Sequence, residues 1–263
     1  MLRSASVLAL VSGLVLAGPV PAAAADIVHP WVVPPPRLAK SAYFSNLSDG
    51  ASIETPFLLK FGLTGIGLAP IVKPVKGTGH HHLLVNRDLP MDFSKPLPFN
   101  DQYIHFGKGQ METVLTFPPG KYTLRLVMAD EKHIPNFVYG KPVTITVTKK
   151  NEGVDPKSLV TKNVAILEPA AGASVRAPFR VAMHASGYNI SNIALNEAGT
   201  GHFRLRMKPD GGKEEVIALD NGYTEVWLHP PAGGYTARVE FIDNTAADKV
   251  LTTSPPVSFR VQN

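Results

Sequence analysis

Three consecutive histidines, His80-His81-His82, run into Leu83-Leu84-Val85-Asn86, and they are the residues here best suited to chemistry. Neutral imidazole offers a nitrogen lone pair, which suits zinc, copper, iron or nickel. On a β-strand the side chains alternate between faces, so His80 and His82 share one face with Leu84, and His81 shares the other with Leu83 and Val85. The two same-face backbone positions lie ~7 Å apart, close enough for two rings to converge on one ion. Two ligands make a weak site, and two more histidines are near in sequence. His105 sits in Tyr103-Ile104-His105-Phe106-Gly107-Lys108-Gly109-Gln110, and His133 follows Asp130-Glu131-Lys132. Glu112, Asp130 and Glu131 are carboxylates that could orient imidazoles or simply face solvent. His29, His184 and His229 stand alone and read as structural or solvated.

The chain itself indicates which face of the histidine strand is the core. Gly50-Ala51-Ser52 recurs as Gly172-Ala173-Ser174, Pro56-Phe57 as Pro178-Phe179, and Gly77-Thr78-Gly79-His80 as Gly199-Thr200-Gly201-His202, all at an offset of 122 residues. Chance matches would not keep one offset, so the chain is a duplication. Further on, Pro118-Pro119-Gly120-Lys121-Tyr122-Thr123 answers Pro230-Pro231-Ala232-Gly233-Gly234-Tyr235-Thr236, which implies a shorter loop in the second copy. Phe203, Leu205 and Met207 then align with His81, Leu83 and Val85, so that face is the core. His80 and His82 lie on the face that carries His202 and Arg204 in the second copy. His82, His105 and His133 have no histidine counterparts there, which marks them as functional. His80, shared with His202, could also be a framework residue.

The elements that must position these residues read as short strands. Phe57 to Phe61, Val114 to Phe117, Tyr122 to Val127 and Val143 to Val147 are β-rich runs bounded by Gly, Pro, Asn and Asp, and the second copy has matching runs. The expected fold is all-β: two tandem immunoglobulin-like sandwiches. Tyr122 and Tyr235 each follow a Pro-Gly turn, the trace of a tyrosine corner. The domain reading is a signal peptide over 1–25, a Pro-rich arm over 26–41, a His-rich sandwich over 42–148, a polar linker over 149–162 and a divergent second sandwich over 163–263. Few contacts are expected across the linker, with proteolytic cutting there.

Composition narrows the function. The 24 Pro and 22 Gly argue against long helices. With no Cys there is no disulfide, thiolate site or Cys nucleophile. The net charge of +5 is spread along the chain without a basic cluster, so nucleic acid is not expected as a partner. Arg3, the apolar run Val7 to Leu16 and Ala22 to Ala25 form an export signal, which is too short to span a membrane. Cleavage near Ala25 would release the chain to the periplasm, with no later membrane span. No Gly-x-Ser-x-Gly, no phosphate-binding loop and no His-Glu-x-x-His is present.

The string Gly79 to Asn86, His105-Phe106-Gly107-Lys108-Gly109-Gln110-x-Glu112, Pro119 to Leu124, Ala129-Asp130 and His133-Ile134-Pro135 resembles the bacterial secreted family catalogued as domain of unknown function 4399. The resemblance covers the first copy, roughly Tyr43 to Val147, and the second only in outline. It implies export, a small β-sandwich and a His-rich motif set, with no settled activity. Asn136 stands where that family often has another histidine. The resulting expectation is a periplasmic, non-enzymatic binding protein holding copper or zinc on His80, His82, His105 and His133. Its alternative is a structural or adhesion module with an envelope protein as partner. A metal-dependent enzyme is the remaining class.

Overall fold

Proline and glycine punctuate this chain every few residues, so its backbone hydrogen bonds are made between strands rather than within helices. The structure is a computed structural model and describes residues 28–35, 40–246 and 248–262. The expected signal segment lies outside them. The first unit contains ten strands: β1 (Ser41–Phe44), β2 (Ser52–Thr55), β3 (Phe57–Thr64), β4 (Gly67–Leu68), β5 (Thr78–Val85), β6 (Tyr103–Phe106), β7 (Glu112–Leu115), β8 (Gly120–Ala129), β9 (Pro135–Tyr139) and β10 (Val143–Lys150). The second repeats them as β11 (Asn163–Glu168), β12 (Ser174–Arg176), β13 (Phe179–Ser186), β14 (Asn189–Ile190), β15 (Thr200–Pro209), β16 (Glu215–Leu219), β17 (Glu225–Leu228), β18 (Gly233–Asp243), β19 (Val250–Thr253) and β20 (Val257–Gln262).

Each unit is a β-sandwich. One sheet has the order β1-β3-β7, and the other β2-β10-β8-β5-β4, with β6 also on β5 and β9 also on β8. The second unit has β11-β13-β17 facing β12-β20-β18-β15-β14, with β16 on β15 and β19 on β18. The strand order is identical, as duplication requires. Both tyrosine corners are made: Tyr122 donates to Pro118 O at 3.0 Å and Tyr235 to Pro231 O at 2.7 Å. The extra length of the first copy falls between β5 and β6, residues 86–102, against 210–214 in the second.

Strand alternation sorts the side chains as the sequence indicates. His81, Leu83 and Val85 face the sandwich interior, where the His81 ring lies 5.1 Å from that of Phe61. Phe203, Leu205 and Met207 do the same in the second unit and are fully buried.

The two units are not independent, which corrects the expectation of few contacts across the linker. Their apolar cores form one continuous cluster. The Glu112 carboxylate of β7 accepts from Ser186 Oγ at 2.7 Å and Gly187 N at 2.9 Å, and its other oxygen lies 2.9 Å from His184 Nε2. Burial alone would raise this carboxyl, but the bonds from His184, Ser186 and Gly187 outweigh it and hold it below its ordinary value. Glu112 therefore pins the units together and supports none of the site imidazoles. The backbones approach closely as well. Ile190 N donates to Gly109 O at 2.9 Å, and a Cβ on Gly109 (φ +86°) would collide with Ile190 O. Leu68 N donates to Gly222 O at 2.8 Å. The arm joins the second unit rather than hanging free. Val32 bridges Leu228, His229 N donates to Trp31 O at 2.8 Å, and His29 Nε2 lies 3.1 Å from Glu215.

Candidate metal centre

Strand β5 brings His80 and His82 to the face away from the sandwich interior, and its neighbours bring the other two rings. In register, His82 pairs with His105 of β6 on one side and with Val127 of β8 on the other. His133 lies in the turn from β8 to β9. Asp130 Oδ1 accepts from the backbone N–H of Lys132 and of Ile134, both at 2.9 Å. His133 itself takes a left-handed backbone, φ 64°, inside that turn. Non-glycine residues adopt this conformation only when their surroundings impose it. Asp130 is thus the sequence-flagged carboxylate with a positioning role, exercised through the backbone. No contact of Glu131 with the imidazoles is present among the described residues.

All four histidines meet. His80 Nε2 lies 2.9 Å from His82 Nε2, and His105 Nε2 lies 3.2 Å from His133 Nε2. Ring centroids of the four stand between 4.7 and 5.8 Å apart. Ring nitrogens of His80, His82 and His105 fall within 4.8 Å of one another, and neither His133 nor any Asp or Glu among the described residues joins that set. Gly107 makes room for this arrangement. A Cβ there would collide with His105 Cε1 and Nε2.

The outer face of β5 is covered rather than solvated. His80 and His82 are 1% and 0% exposed. Leu84, Leu97, Val127 and Ala129 form a small apolar cluster beside them, backed by Leu89 and Tyr103. The long β5–β6 loop supplies that cover. Leu97 N donates to His133 O at 2.9 Å, and the Phe99 ring lies edge-on to His105 at 5.0 Å and to His133 at 4.6 Å. Phe99 is a site residue that strand-period reasoning does not find, because it lies on a loop. Its only sequence trace is the extra loop length in the histidine-bearing copy.

Burial sets the protonation state. It pushes His80 down to about 2 and His82 down to about 3, with the neighbouring imidazoles adding to the effect. His105 is lowered by the same causes, burial and then His133. His81, facing the core, falls to about 4 through burial, partly opposed by its bond to Gln110 O. At neutral pH the buried rings are therefore uncharged, and in each Nε2–Nε2 contact one ring donates its N–H to the lone pair of the other. The second unit fills the same face differently. Arg204 and Arg206, at 2.7 Å from the two oxygens of Glu240, form an ion-pair network where the first unit has His82, Leu84 and Val127, and Ala218 pairs there as His105 does here.

Residues 59–148 match the family model described as Domain of unknown function (DUF4399). This DUF4399 segment contains all four site histidines and stops before the second unit. No curated protein matches the chain. Among solved structures, the fibronectin(III)-like modules of Clostridium thermocellum CbhA share 13% identity over 84% of this chain and 92% of theirs, at a TM-score of 0.27. The two-domain fibronectin type III segment of chicken tenascin shares 15% over 85% and 98%, at 0.22. Dimeric latent PorU from Porphyromonas gingivalis shares 12% over 84% of this chain and 20% of its own, at 0.31.

Proposed function

We propose that this chain is an exported protein of the periplasm whose DUF4399 segment binds one transition-metal ion, copper or zinc, on His80, His82 and His105, with His133 as the fourth imidazole. The observation that carries this reading is the nitrogen spacing. Two ligands at about 2.0 Å from one ion stand about 2.9 Å apart at a right angle and about 3.3 Å apart at a tetrahedral one. The pairs His80–His82 and His105–His133 stand at 2.9 and 3.2 Å, and the nitrogens of His80, His82 and His105 lie within 4.8 Å of one another, so the pairs close on one ion by a small movement of the rings. Neutral, buried, carboxylate-free imidazoles suit copper or zinc and not calcium or magnesium, which take oxygen ligands. The protein's part is to hold the rings neutral, to fix their separation and to keep water away with Phe99 and Leu97. Export rests on residues 1–25 and binding on the four rings.

The test is calorimetric titration of untagged protein with Zn(II) and Cu(II). Wild type should bind one ion per chain at micromolar metal or below. His82→Ala should lose binding, and His81→Ala should keep it with a less stable fold. No binding by wild type, or equal binding by the His82 variant, would leave the second reading. In that reading the chain is an interaction module of the envelope, favoured by the exposed apolar side chains Phe99, which lies against the cluster, and Phe137, whose ring stacks on Phe93.

A further inference from the structure

The four site imidazoles have no negative group beside them. Among the described residues, the histidines within ion-pair reach of a carboxylate are His29, His184 and His202, partnered by Glu215, Glu112 and Asp220. His80, His82, His105 and His133 have no such partner there. The contrast is sharpest between the two copies of one strand. His202, the counterpart of His80, lies 3.4 Å from Asp220. Arg204, the counterpart of His82, pairs across the sheet with Glu240, whereas His82 pairs with Val127. Val127 is fully buried, in the small apolar cluster with Leu84, Leu97 and Ala129.

A metal-binding histidine ordinarily passes part of the metal's charge to a carboxylate or carbonyl through its second ring nitrogen. His82 has no such outlet, because its Nδ1 is buried and has no hydrogen-bond partner. With Nε2 on a metal, that Nδ1 carries the proton, and the N–H becomes more positive as the charge of the metal rises. The cost of burying an uncompensated ion grows with the square of its charge, so a dication costs about four times as much as a monocation of similar size. Neutral ligands, apolar surroundings and an orphaned N–H therefore discriminate by charge. Cu(I) carries one charge and accepts imidazole nitrogen. Zn(II) and Cu(II) carry two, and Cu(II) also favours a tetragonal set of nitrogen and oxygen ligands.

Resting on the metal reading, we infer that the site selects its ion by charge: it holds Cu(I) in preference to Zn(II) and Cu(II), because no anion balances a dication there. The second copy balances the cationic side chains of the same face with Glu240. The first has Val127 in that place and is built for the smaller charge.

The test is the reduction potential of copper bound to the untagged protein, measured with redox mediators under argon. Affinities for Cu(I) and Zn(II) come from competition with bicinchoninate and with a chromophoric zinc chelator. The potential should exceed that of the aqueous copper couple by about 120 mV or more, an about 100-fold preference for Cu(I) at about 59 mV per tenfold. Cu(I) should also be held more tightly than Zn(II). Val127→Glu should lower the potential and raise Zn(II) affinity several-fold, whereas Val127→Gln, equal in size but neutral, should do neither. Circular dichroism shows whether each variant folds, and where Val127→Glu does not, the wild-type potential decides. A potential at or below the aqueous couple, Zn(II) held as tightly as Cu(I), or a folded Val127→Glu protein with unchanged potential would overturn selection by charge and leave the metal reading standing. Failure of wild type to bind any of the three ions would overturn both.

Discussion

Gly107 fixes where His105 can stand, because any side chain at 107 would occupy the space of that ring. Gly107→Ala should therefore lower zinc affinity about 10- to 100-fold, the range seen when the support of a metal ligand is disturbed. Circular dichroism should stay that of a β-sandwich, and unchanged affinity would show that His105 is not a ligand. His81 has a different role. It faces Phe61 in the interior, so His81→Ala should destabilise the fold by about 2–4 kcal/mol, as core truncations do, while stoichiometric zinc binding persists. Urea denaturation checks the first part and titration the second. Protons should act on the metal-free fold through the same rings. Unfolded histidines titrate near 6.5, whereas His80, His81 and His82 are held at about 2, 4 and 3 in the fold. Below 6.5 the unfolded chain binds more protons, so stability is intact above that pH and falls as pH drops from 6.5 toward 4. The slope is about 1.4 kcal/mol per pH unit for each such histidine. Denaturation midpoints at pH 7, 6 and 5 should fall accordingly, and a flat profile would contradict the burial of these rings.

At the scale of elements, the site is a product of sheet order. Alternation along β5 alone was enough to place His80 and His82 together and His81 opposite, and the repeat showed which face is the core. The meeting of His105 and His133 with them was not legible, because it depends on β6 and β8 flanking β5, a long-range pairing with no local trace. Nor did the sequence show that the outer face is buried. That follows from the folding-back of residues 86–102, whose covering side chains Leu97 and Phe99 carry no periodicity. This loop should control access. Phe99→Ala should leave zinc affinity near wild type but speed zinc removal by a chelator, and equal removal rates would show that the ring does not cover the site. Glu112 illustrates the other kind of failure. Its neighbours in sequence suggest an imidazole support, yet its partners His184, Ser186 and Gly187 lie 72 to 75 residues away in the second unit.

For the whole molecule, the polar composition of residues 149–162 suggested separable domains, and the interface between the units shows otherwise. Shared apolar core, buried carboxylate and backbone-to-backbone bonds are invisible in linker composition. A protease nick within residues 151–162 should therefore leave the halves associated, eluting as one species under native conditions and as two after denaturation. Separation of the nicked halves without denaturant would contradict the interface. The duplication also acquires a sense at this scale. One copy keeps an ion-pair network on the face where the other holds imidazoles. The central claim, that these four rings hold one ion, is tested most directly by X-ray absorption at the zinc edge of the protein loaded with one equivalent. The account predicts nitrogen or oxygen neighbours at about 2.0 Å and the outer-shell scattering of at least three imidazoles, reduced by one ring in the His82→Ala protein. A spectrum with fewer than three imidazoles, or one unchanged by that substitution, would contradict it.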